Sequence, residues 1–405
     1  MLMIVDSLDR PSLRQVRLTC KELQEHTWQQ FAKQHFEEIC ILPTKGSLDR
    51  LEAISKHPRL QHVVDDLEIC SSIFNFSYYD DQIVGEDDDY GPADRHCKED
   101  ELPFQRPNKS WQSCANESVR WMISGEEDEE EEGFEEQLIR IMENLVLSAL
   151  TVTDTNPTLD SGSAFTTDKY LLLGYTEILN STKEDPLQKT QKKRTWDYAG
   201  ASLHTIVCKK VISALVYSNQ CPYSLQLNDI QGAHMNFEHI THGELVEAFE
   251  RVEFLLLATG SSSLADTNPV PFINFLRLFT KVEILFLEMN YASARVHNRI
   301  WHSLCMPCLE ALHTPYLGDE HLRGMSSFIS RCSTTLRELS TFAAIVDEGG
   351  RVSWQLMVKK LESDLTLEEL VITLNGRKFE ARSKVDVANT LKELYCWISD
   401  CPLFE

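Results

Sequence analysis

The sequence predicts an α/β protein whose C-terminal half is a solenoid of short strands alternating with helices. Two observations carry this prediction: a leucine recurs at steady spacing through residues 221–405, and amphipathic segments of about ten residues lie between the leucines. A third observation, an unbroken acidic run upstream, separates this region from the N-terminal forty residues. We therefore expect a helical start, an acidic interruption and a strand–helix array.

The composition excludes several classes of protein. With 39 Lys and Arg against 63 Asp and Glu, the net charge is −24, which disfavours binding to nucleic acid or to an anionic membrane surface. Gly-rich phosphate loops and the zinc-protease and esterase signatures are missing. Apolar runs fall far short of the ~20 residues of a membrane-spanning helix, so we expect no membrane span and a cytoplasmic or nuclear location. The 12 Cys then read as reduced thiols.

The first predicted element is a helix that begins near Pro11, a residue suited to a first helical turn. Its apolar positions follow at steps of three and four residues: Leu13, Val16, Cys20, Leu23 and Thr27. A shorter apolar helix is expected over 2–8. Two short helices bury too little apolar area to fold alone, so they need a partner or the rest of the chain.

The second predicted feature is an acidic disordered insertion over 80–136. It contains twenty acidic and five basic residues, and Glu126 to Glu132 is an unbroken acidic run. Like charges at this density repel one another and offer little apolar surface for a core. The insertion is either a solvated spacer or a docking tail for a basic partner. A helix is expected over 137–150 and a long loop over 151–195.

The C-terminal half repeats the register L-x-x-L-x-L. Its central leucines are Leu225, Leu255, Leu285, Leu312, Leu339, Leu370 and Leu394, at intervals of 30, 30, 27, 27, 31 and 24 residues. Asn290 and Asn375 follow the two best copies, and Leu67 lies in a weaker copy upstream. This pattern resembles the leucine-rich repeat, which implies leucines that point into a stack and an Asn that satisfies backbone groups at a turn. The alternative is an ordinary α/β domain with fortuitous leucine spacing.

Helices are predicted in the intervals because apolar residues there recur three or four apart. The expected ranges are 242–252, 270–279, 296–304, 320–332 and 353–361. A single strand–helix unit cannot bury its own apolar face, so the units are expected to stack.

The N-terminal string Arg17-Leu-Thr-Cys-Lys21, with Leu8 and Pro11 before it, resembles the second half of the F-box. The stretch that follows, to Leu67, is similar to the one found after the F-box in fungal F-box proteins. The resemblance implies a module that docks on the Skp adaptor of a cullin-RING ubiquitin ligase, while a downstream repeat array holds the substrate. The implied adaptor contacts are Leu8, Pro11, Leu13, Val16, Arg17, Cys20 and Lys21. The usual opening L-P-x-E-I is missing, and part of the adaptor surface is expected to be missing with it.

The expected organisation is an F-box-like helical module over 1–42, a linker helix and first repeat-like strand over 43–79, the acidic disordered insertion over 80–136, helices and a long loop over 137–220, and a leucine-rich-repeat-like solenoid over 221–405. The function implied is that of a substrate receptor, which tethers and does no bond chemistry. The alternatives are an interaction scaffold that no longer docks the adaptor and an unrecognised hydrolase.

Two groups of metal-ligating residue types stand out, and neither predicts a site. Cys305 and Cys308 form a CxxC near His302 and His313, but the register places them around the start of a strand instead of at one point. A second group, His234, His239, His242 and Glu244, does not fall on one helix face. No catalytic residue, cofactor or metal is therefore expected.

A docking surface is predicted from the alternation of side chains along each strand, because the neighbours of inward leucines must face solvent. The expected substrate-binding residues are Phe254, Leu256, Ile284, Phe286, Glu338, Phe342, Glu369, Glu393, Tyr395 and Trp397. The apolar members suggest an interface, and the three Glu suggest a basic segment in the protein substrate. The alternatives are that insertions cover the patch or that the register is off by one, which would exchange the faces.

Overall fold

The computed structural model describes residues 8–71, 117–118, 121–122, 133–153, 171–173, 197–198, 201–230, 235–237, 239–259, 268–289, 293–317, 322–343, 348–364 and 367–400. The helices of this part of the chain are α1 Arg10–Thr19, α2 Lys21–His26, α3 Trp28–Phe36, α4 Lys45–Ser55, α5 Phe134–Met142, α6 Leu203–Tyr217, α7 His242–Phe249, α8 Val270–Leu276, α9 Ala294–Ser303, α10 Leu322–Arg331, α11 Glu348–Asp364 and α12 Lys384–Asp400. Its strands are β1 Glu38–Ile41, β2 Asp66–Cys70, β3 Ala149–Thr153, β4 Leu171–Leu173, β5 Asp197–Tyr198, β6 Ala201–Ser202, β7 Ser224–Ile230, β8 Phe254–Thr259, β9 Ile284–Met289, β10 Ala311–Leu317, β11 Glu338–Ala343, β12 Glu369–Leu374 and β13 Arg377–Ala381.

Eleven of these strands form one open sheet in the order β4-β1-β2-β3-β7-β8-β9-β10-β11-β12-β13. Apart from β4 at one edge, neighbours in the sheet follow one another along the chain. Neighbouring strands are parallel, except for β12 and β13, which are antiparallel. The mixed α/β class with a mostly parallel sheet is therefore confirmed, and the sheet also includes strands from the upstream half.

One row of buried aliphatic side chains crosses the sheet. Strand pairing aligns Leu225 with Leu255, and the row continues through the next four predicted leucines: Leu285, Leu312, Leu339 and Leu370. In the other direction it continues through Leu150, Leu67 and Ile39. All nine side chains are at most 1% exposed. Burying one such side chain contributes about 1.5–3 kcal/mol, so the row is a main source of stability.

The seventh predicted strand is wrong, because Leu394 lies in helix α12. The chain leaves β12 through a two-residue turn in which Asn375 has φ 48° and Gly376 has φ 78°. Asn-Gly with both residues at positive φ is typical of a tight hairpin, so Asn375 turns the chain back into β13 instead of ending a repeat. Leu391 and Ile398 are buried together with Leu394, at helical spacing. L-x-x-L fits a helix as well as the strand template, and this ambiguity caused the error.

The predicted boundaries upstream also need correction. Strand β1 lies inside the expected helical module, and β4 lies inside the expected loop. Helix α5 begins at Phe134, within the stretch predicted as disordered. Trp121 packs edge-on against Phe134, with ring centroids 5.6 Å apart, and Met122 is 1% exposed. This part of the insertion therefore contributes to the core, and most of the rest of 80–136 lies outside the described residues.

The N-terminal helix is broken where one helix was expected. Cys20 has φ −160° and ψ 161°, an extended conformation that ends α1 and begins α2. Leu13 and Thr27 are fully buried, whereas Cys20 is exposed. The expected helix over 2–8 lies almost wholly outside the described residues. We call α1, α2 and α3 the N-terminal module.

The five helices expected between the C-terminal strands are present as α7 to α11, with shifted ends. Helix α7 begins with a capping box, in which Thr241 accepts a hydrogen bond from the Glu244 backbone and Glu244 accepts one from the Thr241 backbone. Among the described residues, none of the helices combines the length and apolar character needed to cross a membrane.

Candidate protein-docking surfaces

The sheet has one buried face and one partly exposed face. Along β8 and β9, side chains alternate between partly exposed and buried at every residue. The predicted register is therefore correct, and the neighbours of the buried leucines share the opposite side. We call this side the exposed face. Its strand positions include Glu38, Asp66, Glu68, Thr151, Gln226, Phe254, Leu256, Ile284, Phe286, His313, Glu338, Ser340, Phe342, Glu369 and Val371.

An apolar patch lies at the centre of the exposed face. It consists of Phe254 and Leu256 on β8 with their register partners Ile284 and Phe286 on β9. The rings of Phe254 and Phe286 are 5.5 Å apart. On its other side Phe286 stacks on the imidazole of His313, with centroids 3.9 Å apart and planes 9° from parallel. The predicted apolar residues are thus brought together into one continuous surface.

A histidine–glutamate pair borders this patch. His313 Nε2 lies 3.5 Å from Glu338 Oε1. Burial lowers the pKa of His313 below its ordinary value of 6.5, and the attraction of Glu338 only partly opposes this. The imidazole is therefore mostly uncharged at neutral pH, and it does not neutralise Glu338. Glu369 is the register partner of Glu338, and the nearby Phe342 is 41% exposed.

The hydrolase alternative requires a cluster of polar catalytic side chains on this face, and His313 and Glu338 are candidates for such a cluster. Ser340 is the register partner of His313, so a serine, a histidine and a glutamate lie close together. A nucleophilic serine needs the histidine within hydrogen-bond reach as its base. Here the imidazole stacks on Phe286 and presents Nε2 to Glu338. The imidazole thus has the Phe286 ring and the Glu338 carboxylate as neighbours.

The N-terminal end of the exposed face is acidic, which the sequence reasoning missed. Glu38 and Asp66 are register partners on β1 and β2, and Glu68 lies two residues further along β2. With Thr151 and Gln226 they line a depression of about 200 Å3. Burial, then the nearby Asp65 and Glu38 carboxylates, raise the pKa of Asp66 to about 6. Burial also raises the pKa of Glu68. The sequence does contain a signal for this acidic end, because acidic residues flank Leu67 on both sides.

The raised pKa of Asp66 predicts a pH-dependent gain in stability for Asp66→Asn. The folded-state pKa is about 6 against an ordinary 3.8, so the folded chain binds more protons than the unfolded chain between these values. Wild-type stability should therefore fall as pH rises through this window. The variant should keep its stability there, because its amide does not ionise. We expect the variant to melt at a higher temperature than wild type above pH 6 and at the same temperature near pH 3. Thermal unfolding across this range tests it, and a difference independent of pH would contradict it.

Three predicted substrate-binding residues do not lie on the exposed face. Glu393, Tyr395 and Trp397 belong to α12. The Trp397 ring contacts Phe379, which is buried and pairs with the buried Ile372. These three residues therefore lie on the helix side of the sheet. Glu393 also forms an ion pair with Arg377, at 2.7 Å.

The residues with an implied adaptor role differ in exposure. Pro11, Cys20 and Lys21 are exposed; Leu8, Val16 and Arg17 are partly buried; Leu13 is fully buried. Leu13 is thus a core residue and is not available for direct contact with an adaptor. Leu18, seven residues and about two helical turns after Pro11, is 80% exposed. Pro11 and Leu18 lie on the outer side of α1 together with the exposed polar residues Arg14 and Gln15.

Arg17 has an internal role in the N-terminal module. Its guanidinium lies 3.9 Å from the centroid of the Phe31 ring and 5.2 Å from that of Trp28. It also donates a hydrogen bond to the Gln24 carbonyl, at 3.0 Å. Arg59, which precedes β2, covers Trp28 from 4.1 Å. These cation–π contacts connect α1 to α3 and the module to the segment between α4 and β2.

The metal-ligating residue types do not converge in the part of the chain that the structure describes. Within it, no group of three or more His, Cys, Asp or Glu could hold a metal ion. Cys305 is exposed and Cys308 is partly buried, whereas His313 lies on the exposed face. Glu244 caps α7, and His234 lies outside the described residues.

A buried Ser–His–Cys cluster escaped the sequence reasoning. Ser71 hydrogen-bonds to Nδ1 of His204, and Nε2 of His204 lies 3.3 Å from the Cys208 sulfur. A thiol beside an oriented imidazole resembles a nucleophile with its base. Cys208, however, is 0% exposed and the other two are 7% exposed, so a substrate has no approach to the sulfur. The cluster connects the end of β2 to the start of α6.

The geometry thus offers two candidate docking surfaces, the outer side of α1 and the exposed face of the sheet. Comparison of the chain with protein-family models and with curated proteins finds no match to either.

Proposed function

We propose that this protein is a substrate-receptor subunit of a cullin-RING ubiquitin ligase of the SCF type. The N-terminal module would dock on a Skp-type adaptor and through it on the cullin, and the exposed face would hold a protein substrate. The observation that carries the proposal is the strongly exposed Leu18, in the middle of the string that resembles the F-box. Leu18 and Pro11, about two helical turns apart on α1, would offer apolar contacts to a partner that docks on this helix.

We also propose that the sheet is a leucine-rich-repeat-like solenoid. Two features support this: the parallel strands follow chain order, and each contributes an aliphatic residue to the same buried row. A helix lies between successive strands from β7 to β12. Such arrays give an extended surface with side chains from many strands, as a protein substrate requires.

In this role the protein would perform no bond chemistry. Its contribution would be to hold the substrate and the ligase core together, which makes the later encounter intramolecular and raises the effective concentration of substrate. Separate surfaces for adaptor and substrate are needed for simultaneous binding. The outer side of α1 and the exposed face meet this need, since they lie on different elements of the chain.

Leu18→Asp is expected to abolish capture of the adaptor. A carboxylate in an apolar contact loses the burial energy and adds a desolvation cost, so we expect at least a tenfold loss in affinity for a fungal Skp adaptor. The matched control is Leu356→Asp, because Leu356 is 63% exposed on α11. Co-purification with adaptor and cullin, supported by titration calorimetry, measures the effect.

Two outcomes would count against the ligase role. If the wild-type chain fails to capture the adaptor, the interaction scaffold becomes the better account of the same fold. If Leu18→Asp and Leu356→Asp bind equally well, the outer side of α1 is not the contact. Circular dichroism of both variants confirms that neither has unfolded.

A further inference from the structure

The charged strand positions of the exposed face are all acidic from β1 to β12. From β1 to β12 its strand positions include six carboxylates and no Lys or Arg; the six are Glu38, Asp66, Glu68, Glu288, Glu338 and Glu369. Glu38, Asp66 and Glu68 lie at the N-terminal end, and Glu338 and Glu369 lie beyond the apolar patch. A cation first appears at the far edge, where Lys378 on β13 is paired with Glu380. A partner of this face therefore meets negative potential on both sides of an apolar centre.

Strands β1 to β12 contain no Lys or Arg that could neutralise either acidic side, and Arg382, which follows β13, lies close enough to Glu369 to interact with its charge. The raised pKa values of Asp66 and Glu68 reflect carboxylates that are partly desolvated and close to like charges. Beyond the patch, His313 is mostly uncharged at neutral pH, because burial lowers its pKa. An incoming cation would relieve the repulsion at one end and pair with Glu338 at the other. Basic groups are thus favoured at both positions.

The register fixes the spacing of the three zones. Pairing runs laterally from Asp66 through Ala149 and Ser224 to Phe254 and onward to Glu338. With strands about 4.8 Å apart, Asp66 lies about 14 Å from Phe254 and about 29 Å from Glu338. An extended chain advances about 3.3 Å per residue, so roughly nine residues span the whole distance. The apolar patch lies near the middle of that span.

We infer that the exposed face binds an extended segment of a partner protein that crosses the strands, with apolar side chains at its centre and a Lys or Arg near each end, roughly nine residues apart. The inference rests on the proposed function in one respect: it describes the substrate class of that receptor. The basic ends would pair with Asp66 and Glu68 on one side and with Glu338 and Glu369 on the other. The apolar centre would cover Leu256 and Phe286.

Peptide selection on the full chain tests this inference. Phage-displayed random peptides of about twelve residues, long enough to span the distance above, are selected on wild type and on the double variant Asp66→Asn/Glu68→Gln. The matched control is Glu247→Gln/Glu362→Gln, which removes the same charge from exposed positions on α7 and α11. Binding of the enriched peptides to all three proteins is then measured by fluorescence polarisation.

On wild type and on the control we expect enriched peptides with a basic residue on each side of an apolar pair. The double variant should bind those peptides about tenfold more weakly and should lose the preference for one basic end while keeping the apolar centre. Enrichment without basic residues, equal binding by wild type and double variant, or no enrichment would overturn the inference. The adaptor-capture assay tests the outer side of α1 and not the exposed face. If the adaptor is not captured but the peptides are selected as expected, only the ligase role is contradicted. If the adaptor is captured but the peptides are not selected as expected, only this inference is contradicted.

Discussion

Leu285→Ala is expected to cost about 2–5 kcal/mol of folding free energy. Leu285 is 0% exposed and lies in the buried row between Leu255 and Leu312. Truncation removes three carbons from a packed site whose neighbours belong to the parallel strands on both sides. The sheet cannot close the resulting cavity without shifting that pairing. Urea-induced unfolding, followed by far-ultraviolet circular dichroism, should show a clearly lower midpoint.

The matched comparison for this variant is Leu356→Ala. Leu356 is 63% exposed on α11, so its truncation should change stability by less than about 0.5 kcal/mol. Similar midpoints for the two variants would mean that Leu285 does not occupy a packed interior, and the buried row would lose its support.

Gly324→Ala is expected to be the second large effect, because α10 lies close against α9 at this residue. A Cβ at Gly324 would lie 2.8 Å from the Asn298 Cα and 3.1 Å from its carbonyl oxygen. The Gly324 amide also donates a hydrogen bond to Asn298 Oδ1, at 2.7 Å. An added methyl must therefore push α10 away from α9, and overpacking of this kind costs about 1–3 kcal/mol. A lower melting temperature measures it.

Gly243→Ala is expected to have the opposite effect on stability. Gly243 lies in α7, and its nearest neighbour to an added Cβ is Thr241 Oγ1 at 4.0 Å. Alanine should fit there and stabilise the helix by up to about 1 kcal/mol. If both substitutions raise the melting temperature, α9 and α10 are not in close contact at Gly324.

The strand part of the fold was predictable because buried strands have a strong local signal. Leu225 to Leu370 recur at nearly constant intervals, and their apolar neighbours set the register. The terminal hairpin was missed because the Leu394 segment fits both the strand template and a helix. The Asn375-Gly376 pair, a hairpin signal of its own, was assigned to a repeat turn. A pattern as short as L-x-x-L cannot distinguish a strand of the repeat template from a helix, because both place leucines three residues apart.

The candidate site was predictable in its centre and on its Glu338–Glu369 side, and its acidic N-terminal end was missed. Phe254, Leu256, Ile284 and Phe286 followed from the register alone. The acidic end depends on the pairing of β1, β2 and β3, of which only β2 matches the repeat template, weakly, at Leu67. Contacts such as that of Arg17 with Phe31 depend on how helices fold back, and no local pattern encodes them. Arg17 is therefore part of the string that resembles the F-box, but in the structure its side chain packs against Phe31 inside the module.

Photo-crosslinking tests most directly whether the strands follow chain order in the sheet and leave one face exposed. Benzoylphenylalanine at Gln226 places a reactive ketone on β7, whose neighbours on the exposed face are Thr151 on β3 and Leu256 on β8. Mass spectrometry after irradiation should find adducts within 149–153 and 254–259. Adducts confined to helices, or to strands that are not neighbours of β7, would contradict the stacking order and the docking surface built on it.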